Sequence, residues 1–419
     1  MKKILLLLVI IIAVCFITCE DKGSPKNQNN PNNTDNSGNT DNQGNTDNQG
    51  NTDNGKEPVT SAVTFNVNGG IGGQTAQVTA VLDQAMPELT ANAPTNEDYS
   101  NDGYVKKYFD GYWDAASGGK KYYNADMTSA VNWDKSEDTE LFAHWLTVAQ
   151  KYHITLGQDD FVAYFVETPP VIDGNGNDPA WAKAKWQDIN YAWMYQSPRS
   201  LSGTLNSDGT VSKTADFSGR FKVVWTADRL YILAEIIDDQ IKTPNTGNVY
   251  QSPENNDCLE IFISESASTS TQPRGTAVNS TSHFFAYHMN FTDMVSALDY
   301  IGGNNSSSDP NVRIENGFIK RNHHLNFKIG KNDTTHTYIW ETEMKIYGND
   351  YPVITSPEDR TPVTLTESKK MGFAVAYNDN DTTKRDHFIG SMYVQGSSDD
   401  TRNQGYKNAS VYAKLYLVK

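Results

Sequence analysis

Arg220-Phe221-Lys222-Val223-Val224-Trp225-Thr226 and, two residues later, Arg229-Leu230-Tyr231-Ile232-Leu233-Ala234-Glu235-Ile236-Ile237 decide the fold. Both runs are short, rich in β-branched and aromatic side chains, and separated only by Ala227-Asp228, so they read as successive strands. The same rhythm recurs at 161–167, 258–264, 283–291, 338–345, 372–377 and 411–418, with turn residues between the runs and no long helical periodicity. Many short strands divided by turns point to two packed antiparallel sheets. The expected class is all-β, dominated by an antiparallel β-sandwich.

The chain has 419 residues, enough for two or three domains. Its 51 acidic and 35 basic residues leave a formal charge of −16, which argues against a nucleic-acid partner, since phosphate binding needs clustered Lys and Arg. Three cysteines, Cys15, Cys19 and Cys258, cannot form a disulfide scaffold. Met1-Lys2-Lys3 followed by an apolar run from Ile4 to Thr18 has the pattern of a secretory signal and is short for a spanning helix. Phe16-Ile17-Thr18-Cys19, with Glu20-Asp21 directly after, resembles a bacterial lipobox, which implies lipid modification of Cys19 and a place in the cell envelope, at the outer membrane or cell surface. Removal of residues 1–18 takes two lysines and no acid, leaving −18 on the exported chain. Residues 19–58 form a tether almost devoid of apolar side chains, with Asn39-Thr40-Asp41-Asn42-Gln43-Gly44 repeated from Asn45 and again, shortened, from Asn51. Such a segment cannot offset its ordering entropy and acts as a flexible spacer of roughly 35 Å.

In residues 59–146, strands are expected at 63–67, 77–82, 107–113 and 140–145. Thr64-Phe65-Asn66-Val67-Asn68-Gly69-Gly70, Ala85-Met86-Pro87, Asp110-Gly111-Tyr112-Trp113, Gly118-Gly119-Lys120-Lys121-Tyr122-Tyr123, Trp133-Asp134-Lys135 and Leu141-Phe142-Ala143-His144-Trp145 follow in an order that resembles the InlB-type B-repeat (Listeria–Bacteroides repeat). The resemblance implies a small β-grasp module with an adhesive or spacing role, a core filled by Trp113, Trp133 and Trp145, and one small expansion at 96–106. Residues 147–160 read as a linker.

Residues 161–419 carry Pro170-Val171-Ile172-Asp173-Gly174 with Trp181, the two opening runs, Asp238-Asp239, Asn256-Asp257-Cys258-Leu259-Glu260-Ile261-Phe262-Ile263, Tyr338-Ile339-Trp340-Glu341 and Met371-Gly372-Phe373-Ala374-Val375-Ala376-Tyr377-Asn378-Asp379. As a set these resemble the family 9 carbohydrate-binding module, with insertions around 195–215 and 266–282. The resemblance implies a non-catalytic domain that binds a polysaccharide or oligosaccharide, with separate glycoside hydrolases doing the chemistry. It places Glu260 on the family glutamate, and Asn403 and Tyr406 on its asparagine and second tryptophan. The first tryptophan is missing, with Tyr250 nearest, and so is the arginine expected on the strand at 283–291. The alternative readings of these residues are a solvated strand-edge carboxylate for Glu260, a turn-shaping role for Asn403, and rim or core aromatics for Tyr406 and Tyr250. All eight tryptophans are accounted for elsewhere, Trp186 and Trp193 having no family position, so a Trp–Trp clamp is excluded.

No nucleophile elbow, phosphate loop or metalloprotease helix occurs. Cys258 within an apolar strand reads as a packed thiol. Adjacent His288 and Met289 point to opposite faces of a strand and cannot ligate one haem iron. The acids of Asp238-Asp239 and Asn378-Asp379-Asn380-Asp381 are either solvated loop groups or oxygen ligands of a structural Ca²⁺. The rival to sugar binding is an adhesive or structural surface protein with a degenerate site.

Overall fold

The computed structural model describes residues 56–100, 103–195, 205–214, 216–243, 253–267, 284–291, 298–301, 324–348, 361–382, 385–406 and 408–419; Cys19, the tether and Tyr250 lie outside these. Pro58–Lys419 form one compact unit. It opens with β1 (Thr60–Asn66), β2 (Val78–Val81), β3 (Asn96–Asp98), β4 (Val105–Trp113), β5 (Lys121–Asn124) and β6 (Thr139–Leu146), ordered β2-β1-β6-β4-β3 with β5 on β4. Only β1 and β6 run parallel. A small sheet needs large side chains to exclude water, and Tyr112, Tyr122, Tyr123 and Trp133 supply them, fully buried around Val63 and Leu141. Trp145 packs against this core, whereas Trp113 stacks on His144 at 4.7 Å.

The expected linker contains a short helix, Val148–Tyr152, closed by a capping box between Thr147 and Gln150. Then follow β7 (Phe161–Phe165), β8 (Gln187–Ile189), β9 (Tyr191–Tyr195), β10 (Phe217–Trp225), β11 (Leu230–Asp238), β12 (Cys258–Ser264), β13 (Phe285–Asn290), β14 (Leu298–Ile301), β15 (Leu325–Asn332), β16 (Thr337–Met344), β17 (Lys370–Asp379), β18 (His387–Gly390) and β19 (Ala413–Val418). The opening runs form the β10–β11 hairpin, paired from Phe217↔Asp238 to Trp225↔Leu230. The ladder runs β14-β13-β12-β17-β19-β7-β10-β11-β16-β15, with β18 and then β9 beyond β17, and β8 on β10. It folds back on itself, so Phe373 of β17 meets Phe161 and Phe221, Tyr377 meets Phe217, and Phe291 meets Trp340. The result is the expected β-sandwich, with one departure: β7 runs parallel to both β19 and β10.

Alternation then sorts the front strands into two faces. Leu259, Ile261 and Ile263 pair with Tyr377, Val375 and Phe373 and point into the sandwich. Cys258, Glu260 and Phe262 pair with Asn378, Ala376 and Ala374 and point outward. That outer face is itself covered, because the chain between β18 and β19 lies over it: Tyr412 packs on Phe262 and Phe284 and donates its hydroxyl to the Gly405 carbonyl at 2.7 Å. All seven residues of β12 are consequently buried.

On the back sheet, Glu341 is fully buried yet satisfied. It accepts from Trp181 Nε1 (2.9 Å), the Gly174 amide (2.7 Å) and the Asp173 amide (3.1 Å). Gly174, at φ +88°, lies so close to Gly330 that a Cβ there would fall 2.7 Å from the Gly330 nitrogen. Since each abandoned buried donor costs about 1–3 kcal/mol, Glu341→Ala is expected to destabilise the chain by about 3–5 kcal/mol, read as a lowered urea midpoint at unchanged slope.

Candidate functional site

The outward positions of β12, β13 and β17 bring together three polar side chains, which a fourth, Arg385, joins from outside these strands. Glu260 accepts from Asn378 Nδ2 and lies 2.8 Å from His288 Nε2, its cross-strand partner on β13. Arg385, from the turn between β17 and β18, donates to Asn378 Oδ1 at 2.8 Å and lies 3.9 Å from Glu260. Its guanidinium stacks over Phe388 at 4.5 Å. Burial drives the Glu260 carboxyl upward, but His288, Arg385 and Asn378 outweigh it and hold the group below its ordinary value. The two ionic side chains differ in access: Glu260 is 2% exposed, Arg385 14%.

An aromatic wall stands beside this cluster. Trp193 of β9 lies 5.1 Å from Phe388 and 5.6 Å from Phe262 and donates its indole N–H to the Met392 carbonyl at 2.9 Å. Gly390 is required beneath it, because a Cβ there would fall 2.1 Å from the indole.

The expected site residues fare differently. Glu260 is neither solvated nor at a strand edge: it sits on a strand with neighbours on both sides, sealed under its partners. Asn403 ends the helical turn Asp399–Arg402, its amide donating to Asp399 O at 2.8 Å. Its Nδ2 reaches Met194 Sδ at 3.3 Å, while its buried Oδ1 has no hydrogen-bond donor among the described residues. Tyr406 is half-buried against the same core. Asn403 thus meets Met194 of β9, and Gly405 sits against Trp193 and Phe262, which faces outward with Glu260. Tyr250 is outside the described residues. Sequence reasoning missed Arg385 and Trp193. The arginine arrives from a different segment than the strand on which it is expected, and β9 borders a stretch read as an insertion. Cys258 is the expected packed thiol: it is fully buried, with Asn378 Nδ2 3.0 Å from its sulfur, and burial pushes it well above its ordinary pKa.

A second polar group faces the opposite way. Asp238 ends β11, Asp257 precedes β12 and Asp379 ends β17. All three point into one end of the sandwich, and one carboxylate oxygen from each lies within 4.8 Å of the others. They are buried rather than solvated, at 0%, 0% and 1% exposure. Tyr377 donates to Asp238 at 2.6 Å, the Asn380 amide to Asp257 at 2.6 Å, and His387 Nδ1 lies 2.9 Å from Asp379. Burial, then repulsion from Asp379, raises Asp238; burial, then repulsion from Asp238, raises Asp257. Burial lifts Asp379 to about 6 despite His387. Three carboxylates buried together are a costly concentration of charge, so the donor set fits a hard divalent cation taking oxygen ligands. Asp216, Asp239 and Asp381 form a more exposed acidic group, and Asp381 lies close enough to raise Asp238 and Asp379.

These features define a β-sandwich domain of the binding-module type, with a polar cluster on an outer sheet face and an acidic cluster inside one end. Residues 172–419 match the family model described as "Carbohydrate family 9 binding domain-like", and the chain belongs to that family. Two solved structures of a family 9 carbohydrate-binding module from Caldicellulosiruptor kristjanssonii are similar to it. The one in complex with cellotriose is 16% identical, covers 62% of this chain and 93% of its own, and has a TM-score of 0.39. The one in complex with glucose is 17% identical, covers 61% and 95%, and has a TM-score of 0.39. No curated protein matches the chain.

Proposed function

We propose that the chain is a lipid-anchored surface protein whose sandwich binds a polysaccharide or oligosaccharide, without catalysis of its own, in support of separate glycoside hydrolases. The observation that carries this reading is the Arg385 guanidinium, fixed by Asn378 and Glu260 on the outer face of the front sheet and still partly open. Sugar recognition needs fixed polar groups for hydroxyls beside aromatic surface for the pyranose ring. Arg385 supplies a donor and Tyr406 the ring. Glu260, itself paired with His288, and Asn378 hold Arg385 in place instead of touching the sugar.

The anchor would be Cys19, in the outer membrane or at the cell surface, followed by the tether. The six-stranded sheet would be a B-repeat-type β-grasp module, and Asp238, Asp257 and Asp379 would hold a structural Ca²⁺. A second reading is favoured by the burial of Glu260 and Trp193: an adhesive or structural surface protein with a degenerate sugar site. Titration with cello- and xylo-oligosaccharides and their end-reduced forms separates the two. Binding lost on end reduction and in Tyr406→Ala supports recognition of a chain terminus; binding to matrix proteins with no response to any glycan supports the adhesin.

A further inference from the structure

The stretch 96–106, which stands out from the sequence pattern of the first module as an expansion, has a defined place in the fold. Its described residues form β3 and the entry to β4; Asp98, Ser100 and Val105 are exposed, whereas Glu97 and Tyr104 meet the sandwich. Glu97 lies 2.6 Å from Lys183, on the 3-10 turn Pro179–Lys183 of the sandwich. The Tyr99 hydroxyl donates to the same Glu97 oxygen at 2.7 Å. Lys183 also donates to the Tyr104 hydroxyl at 3.3 Å, and its ammonium sits over the Tyr99 and Tyr104 rings at 5.3 and 4.8 Å. Tyr104 is 4% exposed and meets Tyr164 of β7 edge-on at 4.6 Å, in an apolar cluster with Val418 of β19.

The contact continues through the short helix. Val148 and Tyr152 pack on that cluster, and Tyr108 of β4 meets Tyr152 edge-on at 5.6 Å. The Tyr152 hydroxyl donates to Glu367 at 2.6 Å and accepts from the Lys419 amide at 3.0 Å, tying the helix to the end of the sandwich. Apolar, aromatic and ionic contacts thus converge from both sides of the connecting segment 153–160. Lys183 and the hydroxyls around it hold the half-buried Glu97 carboxyl, which burial alone would raise, down at about 2, so the ion pair stays charged at neutral pH.

We infer that Glu97, Tyr99 and Tyr104 form a clasp that locks the first module onto the sandwich edge formed by Lys183, Tyr164 and Val418, so that both move and unfold as one body. The module's partner on this face is the sandwich itself. The surface carrying Tyr104 is then unavailable to any external ligand.

The test is chymotryptic cleavage at Leu156, in the connecting segment, with the full chain. Wild type is expected to be cut slowly, and Tyr104→Ala/Lys183→Ala about tenfold faster, because a segment released from tertiary contact opens locally. Lys183→Ala alone, at a surface side chain that leaves both cores intact, is expected to accelerate cleavage by a smaller factor, with Lys183→Arg restoring it. Calorimetry gives a second readout, one transition for wild type and two for the double variant. A cleavage rate unchanged in Lys183→Ala, or two separated transitions in wild type, overturns the inference.

Discussion

Chelating divalent cations from the full chain at pH 7.5 is expected to lower its melting temperature by about 5–10 °C, and the drop is expected to shrink toward pH 5. A site held at about a hundredfold over its dissociation constant contributes about 2.7 kcal/mol, worth roughly 2–4 °C per kcal/mol in a domain of this size. The sign follows from the carboxylates. Asp238, Asp257 and Asp379 have folded-state values raised above the unfolded value of about 4. Between that value and the folded one, about 6 for Asp379, the folded chain binds more protons than the unfolded chain. Without a cation, stability therefore falls as pH rises through this window. Calcium needs the ionised carboxylates, so it restores stability at pH 7.5 and has little to restore at pH 5. Asp379→Asn, which removes one of the three charges, is expected to make the melting temperature insensitive to chelator. Equal melting temperatures in calcium and in chelator at pH 7.5 would count against a cation at this end of the sandwich.

Glu260 and Arg385 are expected to behave in opposite ways when truncated. Glu260→Ala leaves His288, Asn378 and Arg385 without their shared acceptor inside a sealed layer. Breaking a buried pair from one side costs about 3–5 kcal/mol, so this variant is expected to lose much of its stability by urea titration. Any loss of glycan binding in it reports the collapse of the layer. Arg385→Ala leaves the Glu260–His288 pair and the Asn378 bond to Glu260 in place, and is expected to keep the wild-type unfolding free energy, by urea titration, within about 1 kcal/mol. Its glycan affinity is expected to fall at least about tenfold, the value of one charged hydrogen bond. An Arg385→Ala variant that binds as wild type would remove Arg385 from the site.

The β10–β11 hairpin and β12 are legible in the sequence because their apolar runs are long and closed by turn residues. β18, four residues behind the polar stretch Asn378–Asp386, and β9, at the border of an apparent insertion, are not: β18 is too short to read alone, and β9 becomes a strand by pairing with β18, nearly two hundred residues along the chain. The acids were harder still. Asp238 and Asp239 read alike as loop residues, yet alternation at the end of β11 turns the first into the interior and leaves the second in water. Likewise Asn378 and Asp379 serve opposite faces of one strand. For Glu260 the sequence identifies the residue but not its burial, which depends on the cover supplied by the chain between β18 and β19, more than a hundred residues on. Arg385 is hidden for the same reason: only once Glu260 is known to be buried does it demand a cation from outside β13.

The central claim, that the outer face of the front sheet binds a glycan around Arg385, is tested most directly by calorimetric titration of the full chain with cello- and xylo-oligosaccharides, beside Arg385→Ala. Saturable heat with at least one series, weakened at least about tenfold by the substitution while the fold is kept, is the predicted result. No heat with any glycan from folded, calcium-loaded protein would contradict it.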